Sequence, residues 1–146
     1  MTRSLVVMVS VLSGACALVA GSAGTCQALP PFKKAFDDRY VKPSTDEAFK
    51  ESAKKAGCNL CHVDKKPKKE QNAYGSELAK LIEGDAQHRL KDAKAAGGEA
   101  GETAEKEKIM KELEKAFDEV EKKDAPTGDK YGDRLKASKL PLEAAK

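Results

Sequence analysis

Cys58-Asn59-Leu60-Cys61-His62 is the stretch on which the reading of this chain turns. The spacing C-x-x-C-H is the attachment signature of c-type haem. Each thiol adds across one haem vinyl group to give a thioether, and the adjacent His is placed beneath the ring to ligate iron. Two vinyls and one axial position must be served from a single helical turn, which is why the spacing is so tight. Iron held by a proximal His leaves a sixth position for the protein, for a ligand or for nothing. The sequence therefore predicts one covalently attached haem c on Cys58 and Cys61, with His62 as the proximal iron ligand.

Haem c is attached outside the cytoplasmic membrane, and the first residues agree with that destination. Met1-Thr2-Arg3-Ser4 is a short, weakly positive start, and Leu5 to Ala20 is an apolar run broken by Ser10, Ser13, Gly14 and Cys16. The run is shorter than the ~20 residues a spanning helix needs, so a cleavable export signal over residues 1–28 fits better than an anchor. Cleavage after Ala28 is preferred, with Gly24 and Ser22 as alternative sites. Cys16 and Cys26 each follow small residues, but neither has the Leu expected three positions earlier for lipid modification. Loss of residues 1–28 removes both of these cysteines. Cys58 and Cys61 then remain without a spare thiol, as suits an oxidising compartment. The expected location is periplasmic or otherwise outside the cytoplasmic membrane, with no stable membrane span after cleavage.

The remaining residues, 29–146, suit one small domain. The chain has no Trp, and 35% of its residues are charged, which is close to the limit for sustaining an apolar core. A covalently held porphyrin supplies buried apolar surface that the side chains lack, so the haem-free chain is expected to fold poorly. The net charge falls from +3 to +2 when Arg3 leaves with the leader. Lys54 and Lys55 precede the motif, and Lys65, Lys66, Lys68 and Lys69 follow it. Such a cluster is either a solvated loop or a surface that steers a redox partner with an acidic docking face. Nucleic-acid binding is not supported, because no aromatic residues interleave with the lysines.

The hydrophobic pattern reads as all-α, without a strand signal. Phe32, Phe36 and Tyr40 recur at a spacing of four. Ser44-Thr45-Asp46-Glu47 reads as a capping box, starting a helix with Phe49, Ala53 and Ala56 on one face and ending near Gly57 at the motif. A short helix follows Asn72, with Leu78, Leu81 and Ile82 on its buried side. Another covers roughly Ala86 to Ala96. Ala95 to Thr103 reads as a flexible connection by composition. Ala104 to Lys123 is the strongest helix, with Ile109, Leu113, Ala116 and Val120 on its apolar stripe. Its acid-before-base pairs at i,i+4 are Glu107–Lys111, Asp118–Lys122 and Glu119–Lys123. Tyr131 to Lys139 reads as a last short helix, closed by Pro141. Tyr74-Gly75-Ser76-Glu77-Leu78 and Tyr131-Gly132-Asp133-Arg134-Leu135 echo each other, each opening a short helix.

With the motif behind a helix near the start of the mature chain, the sequence resembles the small monohaem c-type cytochromes of class I, of the exported bacterial kind. Cys58, Cys61 and His62 match that family's attachment and proximal positions. Gln71-Asn72-Ala73-Tyr74-Gly75 is similar to its P-N-L-x-G segment, with Gln71 where the family has Pro. The resemblance implies a small helical domain wrapped around one haem, and commonly a later Met as sixth ligand. Met110 is the candidate, although it falls within a helical stretch where it could equally fill a core gap. His88 is the alternative, in a polar stretch that favours a surface role.

An electron carrier is the leading expectation, and no enzymatic turnover is expected, since neither a second haem motif nor an acid/base constellation is present. Ligand binding or sensing at five-coordinate iron is the alternative. The familiar five-coordinate four-helix cytochromes carry C-x-x-C-H near the C-terminus, whereas here it lies in the first half. Thiol–disulfide exchange through Cys58 and Cys61 lacks the preceding strand of a thioredoxin-type site. A zinc site would have to be built from Cys58, Cys61, His62 and His88 alone.

Overall fold

The computed structural model describes residues 30–67 and 70–141. The presumed leader, with its cleavage and lipidation alternatives, lies outside the described residues, as do Lys68 and Lys69. The described residues form helices and turns with no strand, in agreement with an all-α class. Two isolated antiparallel bridges join His62 to Gln71 and Asp124 to Lys130.

Helix α1 (Pro30–Phe36) runs directly into one wide π-helical turn, Asp37–Val41, in which the Lys42 N–H reaches back to the Asp37 carbonyl at 2.8 Å. Arg39 and Tyr40 leave this turn together and meet Glu121, at 2.8 Å from Arg39 Nη2 and 2.8 Å from Tyr40 Oη. The Arg39 guanidinium also lies 5.4 Å from the Tyr40 ring centroid and 5.7 Å from that of Phe117. One cation thus fastens the start of the described chain to its longest helix by charge and by ring contact.

Helix α2 (Glu47–Ala56) buries Phe49 and Ala53 as their spacing requires. Its cap differs from the expected one. The Asp46 carboxylate, not the Ser44 hydroxyl, accepts the Phe49 N–H at 3.1 Å, and Ser44 Oγ instead accepts the Asp46 N–H at 3.1 Å. A full negative charge satisfies the free amides and the positive end of the helix dipole together. Helix α3 (Ala73–Ala79) buries Tyr74, Gly75 and Leu78. Leu81, expected on its buried face, is 37% exposed, while Ile82 is buried. The helix has by then given way to tight turns, with Leu81 bonded to Leu78 and Ile82 to Ala79, so the helical period no longer places the side chains.

The largest departure from expectation is α4 (Ala86–Val120), which takes in the segment 95–103 that composition marks as flexible. Its one non-helical residue is Gly98, at φ 61° and ψ −147°, so the element is a hairpin of two helical arms, 86–97 and 99–120. Gly101 lets the arms touch: a Cβ there would lie 2.4 Å from the Ala93 carbonyl oxygen. Lys94–Glu102 (2.8 Å) and Arg89–Glu105 (2.7 Å) bridge the arms. The second arm buries Ile109, Leu113, Ala116, Phe117 and Val120, as its periodicity predicts. None of the three expected pairs forms: Glu107 and Lys111 are not bonded to each other, and the other two are replaced. Lys122 bonds Glu119 at 2.7 Å, Lys123 crosses to Glu77 of α3 at 2.5 Å, and Asp118 takes Arg39 at 2.5 Å.

Helix α5 (Tyr131–Lys136) folds back under Arg134, whose guanidinium donates to the Leu140 carbonyl at 3.1 Å. The core is one continuous cluster joining α1, α2, α3, the second arm of α4 and α5. At its centre Phe36 meets Tyr74 and Phe117 edge-on at 6.1 and 6.4 Å, and Tyr74 meets Tyr131 at 5.1 Å. Such pairs add about 1 kcal/mol each beyond their burial. Among the described residues no helix is long and apolar enough to cross a membrane.

Candidate functional site

The motif sits where α2 stops. Gly57 ends the helix at φ 53°, a left-handed value that suits glycine. The chain then tightens into one 3₁₀ turn, Gly57–Leu60, in which the N–H groups of Cys61 and His62 both reach the Cys58 carbonyl, at 3.3 and 3.2 Å. Cys58, Cys61 and His62 are therefore gathered on a single turn. Leu60 between them is buried and anchors that turn in the core. Cys58 is exposed, whereas Cys61 and His62 are half-buried.

A second element holds the turn in place. Asn72 caps α3 through Oδ1, which accepts the Gly75 N–H at 2.8 Å. Its Nδ2 donates to the carbonyls of Asn59 and Leu60 at 2.9 and 3.1 Å, and its own N–H donates to the Cys61 carbonyl at 3.0 Å. The Val63 N–H donates to Glu70 at 3.1 Å, completing the bridge that aligns His62 with Gln71. Gly75 presses on the same turn: a Cβ there would lie 2.0 Å from the Cys61 carbonyl oxygen. That approach is closed to any other residue.

The three motif side chains open into one cavity of about 390 Å³, within the ordinary range for cofactor sites. Phe32 and Phe36 of α1 form one side. Leu78 and Ala79 come from α3, Ile82 from the turn after it, and Leu113 and Phe117 from α4. Residues 84–87 and Gln71 complete the rim, and Lys33 is the one lysine or arginine among the described lining residues. Two thiols and an imidazole facing an apolar hollow are the donor set and surroundings that a thioether-bound haem requires, so the residues present fit that group.

Burial, with a smaller push from Cys58, drives the Cys61 thiol up to about 12, and Lys33 draws it partway back. A thiol held that far toward its neutral form is a poor nucleophile or metal ligand at neutral pH. Among the described residues no group of three or more His, Cys, Asp or Glu side chains converges in a way that could hold a metal ion.

Met110 and His88 do not line the cavity. Met110 is half-buried and packs against the core. His88 has a 75% exposed side chain, with Nδ1 2.8 Å from Asp92 Oδ2. Its neighbours Asp85, Ala86 and Gln87 reach the rim where it does not. Lys54, Lys55, Lys65 and Lys66 are exposed around the motif turn.

Sequence reasoning missed the walls. Phe32 and Phe36 were legible as a packing stripe without an indication of what they face, and Lys33 between them gave no signal. Ile82 and residues 84–87 come to the cavity through the turn between α3 and α4 and the start of α4, which local spacing does not encode. Comparison with protein-family models, with curated proteins and with solved structures finds no match to this chain.

Proposed function

We propose that this chain is an exported, periplasmic c-type cytochrome that holds one haem through Cys58 and Cys61, with His62 as proximal ligand, and serves electron transfer without turnover of its own. The observation that carries the reading is that Cys58, Cys61 and His62 line one apolar cavity together. A haem bound there supplies a one-electron ferric–ferrous couple. The chain's own residues do the rest. Leu60 and Asn72 hold the two thiols and the imidazole on one turn. Phe32, Phe36, Leu113 and Phe117 keep water from the inner side, while Cys58 stays at the surface where a partner can approach. Exposed lysines on either side of that edge suit a redox partner with an acidic docking surface. A denaturing gel stained for haem peroxidase activity tests the assignment. The wild-type chain, exported by a host able to mature cytochromes, stains, and the Cys58→Ala, Cys61→Ala double variant does not.

One observation favours a second reading, ligand binding or sensing at five-coordinate iron: neither Met110 nor His88 is on the cavity wall. A visible spectrum separates the two. Low-spin bands at rest that change in Met110→Ala or His88→Ala select the six-coordinate carrier and name its ligand. A high-spin spectrum that shifts with carbon monoxide selects ligand binding.

A further inference from the structure

Lys33 and Lys34 are neighbours on α1, each paired with an aspartate four residues on, and only one of them belongs to the cavity. Lys33 lines it beside Cys61, is 28% exposed, and is bonded through Nζ to Asp37 Oδ1. Lys34 is 73% exposed, pairs with Asp38 at 2.5 Å, and does not reach the cavity. Asp37 does not line it either. Lys33 therefore stands at the wall with Asp37 in direct ion-pair contact from outside the cavity, and Asp85 is a carboxylate residue on the same rim.

We infer that Lys33 is a positioning residue for the redox step, raising the reduction potential of the site, and that Asp37 limits how far it does so. This rests on the haem reading above and extends it to a residue outside the motif. Uptake of one electron removes one unit of positive charge from the site. A fixed cation at the wall favours the state with the smaller positive charge, so Lys33 favours reduction. Its effect is less screened than that of a charge in open water, because Phe32, Phe36, Leu113 and Phe117 line the inner side of the same space. Asp37, ion-paired to Lys33 and outside the cavity, carries the opposite sign and cancels part of it, and Asp85 on the rim cancels a further part that is common to all the variants below. Lys34, in water, is screened by its partner and by salt.

The test is the midpoint potential of the holo-protein in matched variants. Lys33→Gln lowers the equilibrium constant for electron uptake by about tenfold, which is 59 mV for one electron. Asp37→Asn moves it the opposite way, and the double variant returns toward the wild-type value. Lys33→Arg, which keeps the charge, leaves the potential in place. Lys34→Gln gives a small change that vanishes in high salt, whereas the Lys33 effect persists. Equal shifts for Lys33→Gln and Lys34→Gln, or shifts of one sign for Lys33→Gln and Asp37→Asn, overturn the inference while leaving the haem assignment intact. A wild-type chain that matures without covalent haem overturns both.

Discussion

Asn72 takes part in five hydrogen bonds, three of them donated to the carbonyls of Asn59, Leu60 and Cys61 on the motif turn, and this concentration assigns it a double task. Asn72→Asp separates the two. The carboxylate still accepts the Gly75 N–H, so the cap on α3 survives. The Asn59 and Leu60 carbonyls lose their donor and face a charge instead. Leaving such acceptors unsatisfied costs about 1–3 kcal/mol, so denaturant unfolding should place this variant about 2 kcal/mol below wild type. A difference under about 0.5 kcal/mol would show that the staple contributes nothing. Gly75→Ala is the harsher change. The added methyl group meets the Cys61 carbonyl oxygen at 2.0 Å and its carbon at 2.8 Å, both backbone atoms that cannot swing aside. We expect a loss of at least about 3 kcal/mol, at the upper end for overpacking, and a lower yield of covalently loaded protein on a haem-stained gel. Normal stability and loading would mean that α3 does not bear on the attachment turn. The role of Gly75 was visible in the sequence only as the last position of a family-like segment. The carbonyl it rests on is 14 residues away, and the bottom-up reading of glycine alone does not supply that partner.

At the scale of elements, the hairpin of α4 is held by Arg89, which donates to Glu112 at 2.8 Å, to Glu105 at 2.8 Å and to the Glu83 carbonyl at 2.8 Å. The Arg89 hydrogen bonds, as the largest cause, lower the Glu112 carboxyl below the usual glutamate range. A carboxylate whose folded value is depressed contributes stability that is complete above its unfolded value, about 4.3, and is lost as pH falls through the lower folded value. Glu112→Gln should therefore be less stable than wild type at pH 7, with the gap closing on acidification below about pH 4. Thermal melts across that range check this, and parallel curves for the two proteins would refute it. The arms themselves were partly legible. Ile109, Leu113, Ala116 and Val120 announced the second arm, because a helix packed on one side must repeat its apolar residues. Between them, Ala-Ala-Gly-Gly-Glu-Ala-Gly looked like a linker for a sound reason, since glycine favours flexible chain. Yet only Gly98 takes a left-handed conformation there, while Gly101 serves close helix contact, and composition alone does not distinguish these uses. The cap of α2 taught a similar lesson. Ser44 and Asp46 both offered oxygens, and the carboxylate two residues nearer the helix won.

For the molecule as a whole, the core divides into a packed side and an open one. Phe36, Tyr74, Phe117 and Tyr131 fill the first. The second is the cavity lined by Cys58, Cys61 and His62, which opens to solvent. Left unfilled, it keeps apolar wall against water at about 25 cal/mol per Å², a sizeable share of the stability of an ordinary domain. A Cys58→Ser, Cys61→Ser variant, produced without haem, should keep helical circular dichroism but lose a sharp, cooperative thermal transition. A transition as sharp and as high as that of the loaded protein would show that the cavity is not filled by a structural group. The class of fold and the turn that gathers Cys58, Cys61 and His62 could be read from local spacing, because both depend on residues within a few positions of each other. The cavity could not, since its walls come from α1, α3, the turn before α4 and the far arm of α4.

The most direct test is the intact mass of the mature protein exported by a cytochrome-maturing host, with peptide mapping of residues 57–63. The account predicts one haem per chain, joined through both Cys58 and Cys61 and retained under denaturing conditions. Bare polypeptide with the two thiols free, or joined to each other, would contradict it.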